Sequence, residues 1–168
     1  VAVILNITPD HLDRYESVGE YAAAKRRLVE NMGAGDQLVY NAMDPECARI
    51  AADFTGESIP FSSQRQLERG VVVREEAIVR VDGGRSERIM ETGELAVVGL
   101  HNIENALAAV AAVERFDIPA SSCREALASF RGLPHRMELI EEINGVAYYN
   151  DSKATNVEAT VMSLKGLE

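Results

Sequence analysis

Two polar stretches, Asn6-Ile7-Thr8-Pro9-Asp10-His11-Leu12-Asp13-Arg14-Tyr15 and Asn150-Asp151-Ser152-Lys153-Ala154-Thr155-Asn156, each stand behind a short apolar run and ahead of a helical pattern. A run that is apolar throughout, rather than at alternate positions, reads as a strand covered on both faces. Parallel strands sit that way between layers of helices. Strand–loop–helix units of this kind predict an α/β fold, and in such folds the loops at the carboxyl ends of the strands bind ligands. Loops rich in Asp, Asn, His, Lys and Thr suit a charged, phosphorylated ligand.

The rest of the chain fills in that frame. Apolar runs at 1–5, 37–41 and 58–62 predict strands, and helical patterns cover 17–31 and 44–54. Ser17-Val18-Gly19-Glu20 matches a capping box at the start of the first helix. Between 70 and 98 the texture changes to short strands at 70–74, 77–81 and 94–98 with polar turns, which predicts a small antiparallel insert. A strongly helical stretch follows at 102–116, with Ile103, Ala106, Leu107, Val110 and Val113 on one face. Ser122 and Glu125 predict the capped start of a further helix. Gly132-Leu133-Pro134-His135-Arg136 breaks the pattern and marks the expected domain boundary. Beyond it, 137–143 and 146–150 flank Asn144-Gly145, a strong hairpin signal, and a helix begins near Val157.

A net charge of -10 argues against nucleic acid or an anionic membrane as partner. No apolar run is long enough to span a bilayer. Cys47 and Cys123 have no metal spacing and read as reduced thiols of a cytoplasmic protein. The chain opens inside an apolar run without Met and stops as a helical pattern ends, so we expect a piece of a longer protein. No G-x-x-x-x-G-K-[ST] loop occurs in these 168 residues.

Several residues carry possible chemistry. Tyr21, Lys25, Leu28 and Val29 fall on one helical face, apolar apart from the lysine. That lysine either snorkels or, if desolvated, becomes a neutral nucleophilic amine able to take up CO2 as a carbamate, an oxygen ligand for a hard cation. His11 lies between Asp10 and Asp13, which can orient its ring or share a metal with it. Asn102 reads first as a helix N-cap, yet Asn102 and Asn105 share a face and two amides can read a purine edge. Arg136 can clamp phosphate, or simply sit at the surface. Asp151, Lys153 and Thr155 precede the last helix, whose N-terminus favours anions. Lys153 adds a point charge there and Asp151 can accept from a ribose hydroxyl.

Together Asn6-x-Thr8-x-Asp10-His11-x-Asp13-Arg14-Tyr15, Tyr21-x-x-x-Lys25, Gly99-x-His101-Asn102-x-x-Asn105-Ala106, Leu133-Pro134-His135-Arg136 and the 150–156 stretch resemble the Mur ligase family, ATP-dependent amide-forming enzymes of peptidoglycan synthesis. The Asp-His-Leu-Asp core is common to sister ligases. The Asp13-Arg14-Tyr15 ending and the 150–156 stretch point to the member that adds D-glutamate to UDP-N-acetylmuramoyl-L-alanine. The resemblance implies a partial central ATP-binding domain over 1–134, its P-loop upstream. That domain is a mostly parallel sheet with flanking helices and a small antiparallel insert. Over 135–168 the first hairpin and helix of a Rossmann-like C-terminal, amino-acid-binding domain are implied.

The resemblance also implies roles. Lys25 is carbamylated and joins His11 around Mg2+. Asn102 and Asn105 lie at the adenine of ATP, and Arg136 and Asp151 approach ATP. Lys153 and Thr155 lie near the phosphates or the incoming amino acid. The implied reaction transfers a phosphoryl group to a carboxylate, and the amine then attacks the acyl phosphate. The readings left open are a sister Mur ligase, a folylpolyglutamate-synthase-like ligase, or a nucleotide-binding module without ligase chemistry. The 168 residues alone are expected to be inactive, because activity needs the rest of the polypeptide.

Overall fold

The computed structural model describes residues 1–8, 17–155 and 157–165. Six strands form one sheet in sequential order: β1 (Ala2–Ile4), β2 (Gln37–Asn41), β3 (Glu57–Ser62), β4 (Arg69–Arg74), β5 (Ala77–Asp82) and β6 (Arg85–Glu91). The pairs β1–β2, β2–β3 and β3–β4 are parallel, and β4–β5 and β5–β6 are antiparallel. The stretch expected as a small insert is therefore the continuation of the main sheet. Its β4 and β5 residues are as buried as those of the parallel half: Val71, Val72, Ala77 and Ile78 have no exposed surface.

Helices pack on both faces. The helix α1 (Val18–Arg26) and α2 (Pro45–Ala52) cover β1 and β2 from one side, where Ala2, Ile4, Ile7, Ala22, Leu38, Cys47 and Ile50 meet. Across the sheet, α3 (Leu100–Val113) and α4 (Ala120–Ser129) pack on Val39, Ile59, Phe61, Val71, Ile78 and Met90. Leu38 and Val39 are adjacent and buried in opposite layers, which is why the runs are apolar throughout rather than alternating. Phe61 is fully buried beneath α3.

Three local expectations need correction. The strand expected at 94–98 is absent: β6 lies at Arg85–Glu91, and Thr92–Glu94 is a 3-10 turn. An edge strand need bury little, and here only Ile89 and Met90 are inside, so its sequence is mostly charged. Asn102 is not an N-cap. The chain turns at Gly99 (φ 99°), α3 begins at Leu100, and Asn102 is already helical. Ser122 caps nothing either, because α4 starts at Ala120 behind Pro119.

The expected cap at Ser17 is present, with its side chain accepting from Glu20 N at 3.2 Å. After α4 the chain runs without regular structure until β7 (Glu138–Ile143) and β8 (Val146–Asn150), which pair only with each other. Asn144 and Gly145 both take positive φ, 53° and 78°, as the tight hairpin requires. A last helix, α5 (Val157–Lys165), follows. Among the described residues no helix is long and apolar enough to cross a membrane. Both cysteines are free and buried.

Candidate functional site

The parallel register brings the carboxyl ends of β1, β2 and β3 level with one another: Ile4 pairs with Tyr40 and Asn41 with Phe61. The ends of β2 and β3 are each closed by a side chain. Beyond β2, Asn41 Oδ1 accepts from Met43 N at 2.9 Å. Beyond β3, the buried Ser62 hydroxyl accepts from Arg65 N at 2.7 Å. Past β1 the chain enters the Asn6–Thr8 motif, where Ile7 is buried while Asn6 is exposed.

The first turn of α3 is drawn to the same place. Ser63, the residue after β3, donates its hydroxyl to Glu104 Oε1 at 2.9 Å. His101, one turn earlier, is half-buried, and its Nδ1 is buried without a hydrogen-bond partner. Burial, followed by the positive charge of Arg136, holds this imidazole below its usual range, while Asp151 and Glu104 pull the other way. Asn102 donates its amide to Val98 O at 2.7 Å, and Asn105 is exposed one turn on.

The breaking segment and the last loop are stitched together. Asp151 Oδ1 accepts from Met137 N at 3.1 Å, and Lys153 N donates to His135 O at 3.1 Å. Asn150 Nδ2 lies 2.9 Å from His135 Nδ1. His135 and Met137 both adopt left-handed backbone, at φ 65° and 47°. The Arg136 guanidinium is exposed, as are Lys153 and Thr155. A buried, unpartnered ring nitrogen and a pair of amides on α3, with an exposed guanidinium on the segment after α4, suit an anionic, hydrogen-bonding ligand such as a nucleotide.

The metal side stands differently. His11, with Asp10 and Asp13, lies outside the described residues. Lys25 is exposed, its Nζ 5.1 Å from the centroid of the Tyr21 ring. The apolar face expected around it forms in part: Tyr21 and Val29 pack against the core, whereas Leu28 does not. The α-helix stops at Arg26, and Arg27–Val29 continue as a tighter 3-10 turn. That change of pitch rotates Leu28 out of the face, and it is 54% exposed. Ala22 of α1 is buried in the core, and Tyr21 packs against it. Desolvation of Lys25, the condition for the neutral-amine reading, is thus not met in this structure. Among the described residues no three His, Cys, Asp or Glu side chains gather as a metal shell.

The sequence reading missed two residues of this arrangement, His101 and Glu104, which stand at i, i+3, a spacing that marks one helical face.

Comparison with known proteins bears on this geometry. The Mur ligase middle domain family matches residues 1–113. The UDP-N-acetylmuramoylalanine–D-glutamate ligase of Pelotomaculum thermopropionicum is 44% identical over 98% of this chain, and that of Syntrophotalea carbinolica is 46% identical over 99%. The chain spans 36% and 37% of their lengths. Among solved structures, MurF from Acinetobacter baumannii matches with a TM-score of 0.76 at 20% identity, over 95% of this chain and 35% of that one. A MurF ligase from Thermotoga maritima, solved in complex with ADP, matches with a TM-score of 0.72 at 15% identity, over 98% and 38%.

Proposed function

The chain belongs to the Mur ligase family, and on that premise we propose that it forms part of an ATP-dependent ligase adding D-glutamate to UDP-N-acetylmuramoyl-L-alanine in the bacterial cytoplasm. The observation that carries this reading is that α3 is held at the carboxyl ends of the parallel strands by the Ser63–Glu104 bond, with His101 Nδ1 buried near its start without a hydrogen-bond partner. Relatives bearing that ligase name match over nearly the whole chain, which supports the choice of amino acid.

Each group then has a task. Asn102 and Asn105 offer amides to the adenine, and Arg136 offers a fork of donors to phosphate oxygens. Asp151 holds the backbone of Met137 with one oxygen and so fixes the segment from which Arg136 projects. Lys153 and Thr155, exposed before α5, face the phosphates or the incoming amino acid. Bound ATP supplies the phosphoryl group that activates the carboxylate, and Mg2+ offsets the repulsion between two anions. His11 and Lys25, the latter as a carbamate, are proposed to hold that metal. The pairing rests on the motif resemblance, and it requires Lys25 to be screened from water in the full-length protein. The division into 1–134 and 135–168 follows the change from the six-stranded sheet to the separate β7–β8 hairpin.

In the full-length protein, Arg136→Ala is expected to raise the KM for ATP about tenfold or more, the loss of a charge-assisted bond to phosphate. Steady-state kinetics with varied ATP measure this. An unchanged KM removes Arg136 from the nucleotide. Lys25→Ala is expected to lose turnover and regain part of it with short carboxylates, and absence of rescue at every concentration removes the carbamate.

A further inference from the structure

The geometry points to Asp44 as a positioning residue for the ligand loop that opens at Asn6, a role that rests on the function proposed above. Asp44 caps α2 in the ordinary way: its Oδ1 accepts from Glu46 N and Cys47 N, both at 2.9 Å. Its second oxygen does something a cap does not require. Oδ2 accepts the backbone N–H of Ile7 at 2.7 Å, across a gap of 37 residues.

Pairing between β1 and β2 ends at Ile4 and Tyr40, so Ile7 has left the sheet and has no strand carbonyl to bond. The carboxylate takes the place of that carbonyl. Asp44 is itself held, because its N–H donates to Asn41 O at 3.3 Å and Asn41 is buried at the end of β2. The Ile7 side chain, 6% exposed, enters the layer that contains Cys47 and Ile50 of α2. Backbone and side chain of Ile7 are thus fixed to the same helix start. The tether sets where Asn6 and Thr8 stand at the strand ends. The carboxylate also helps to keep the Cys47 thiol protonated: burial first, then Asp44, pushes it well above its usual range.

Two variants of the full-length protein separate the tether from the cap. Asp44→Ser keeps a good cap but is too short to serve two partners, and Asp44→Asn has one oxygen for three N–H groups. Hydrogen–deuterium exchange with peptide resolution is expected to show the segment around Ile7 exchanging about tenfold faster in Asp44→Ser, with α2 unchanged. In the ligase assay kcat is expected to fall about tenfold to a hundredfold, with a raised half-saturating Mg2+ concentration and a KM for ATP within about twofold of wild type. The proposal is overturned if Ile7 exchange is unchanged in both variants. It is equally overturned if exchange rises while kcat and Mg2+ dependence stay the same, or if protection is lost uniformly across β1 and α2. A wild-type protein without ligase activity overturns the function proposed above instead, and the exchange measurement still decides whether the Asp44–Ile7 bond exists.

Discussion

Glu114 illustrates how a single side chain records its surroundings. It follows α3, above the amino ends of the parallel strands, and its Oε2 is buried without a partner, as are Nε and Nη2 of Arg80. Burial pushes its carboxyl up from the ordinary value near 4.5, against the pull of Arg80 and Arg69. A raised folded-state pKa contributes stability below the unfolded value and loses it as pH rises through the folded one. At pH 7 the ionised form therefore costs the fold. Glu114→Gln is expected to raise Tm by a few degrees at pH 7, with the gain vanishing below pH ~4.5. Thermal unfolding across that range checks it, and a gain that persists in acid contradicts it. Residue identity alone exposes little of this. Glu114 reads as one more charge at a helix end, and Asp44 as a routine cap, because the partners that redefine them lie far away in sequence. Lys25 shows the converse. Its spacing promised an apolar face; Tyr21 and Val29 pack on the core, but a switch from α to 3-10 winding turns Leu28 outward, and Lys25 itself is exposed.

At the scale of elements, the parallel strands and the long helix were legible because burial on both faces writes an unbroken apolar run, and one buried face writes a stripe. The hairpin at Asn144-Gly145 was legible from turn chemistry. The edge strand β6 was not, since a strand that buries two residues leaves almost no apolar signal. The continuity of the sheet through β3 and β4 was also hidden. It depends on a close approach of two backbones at Pro60, which lacks an N–H, and Gly70, which lacks a Cβ. Gly70 has φ 120°, and a Cβ there would lie 2.0 Å from Pro60 O. Gly70→Ala is accordingly expected to cost about 3 kcal/mol, through a backbone clash and a φ that L residues avoid. Chemical denaturation measures it, and a loss under about 1 kcal/mol contradicts the packing described.

For the whole molecule, the chain contains no P-loop sequence to cradle nucleotide phosphates. The 168 residues alone are therefore expected to show no ligation and no substrate-dependent ADP release. A coupled assay on the isolated chain tests this, and turnover above background contradicts it. In the full-length protein, the decisive measurement is ligase turnover with UDP-N-acetylmuramoyl-L-alanine, ATP and Mg2+, offering D-glutamate, L-glutamate, L-lysine, diaminopimelate and D-alanyl-D-alanine in turn. Product and ADP formed with D-glutamate alone is the predicted result. Turnover with another amino acid and none with D-glutamate, or none with any, would contradict it.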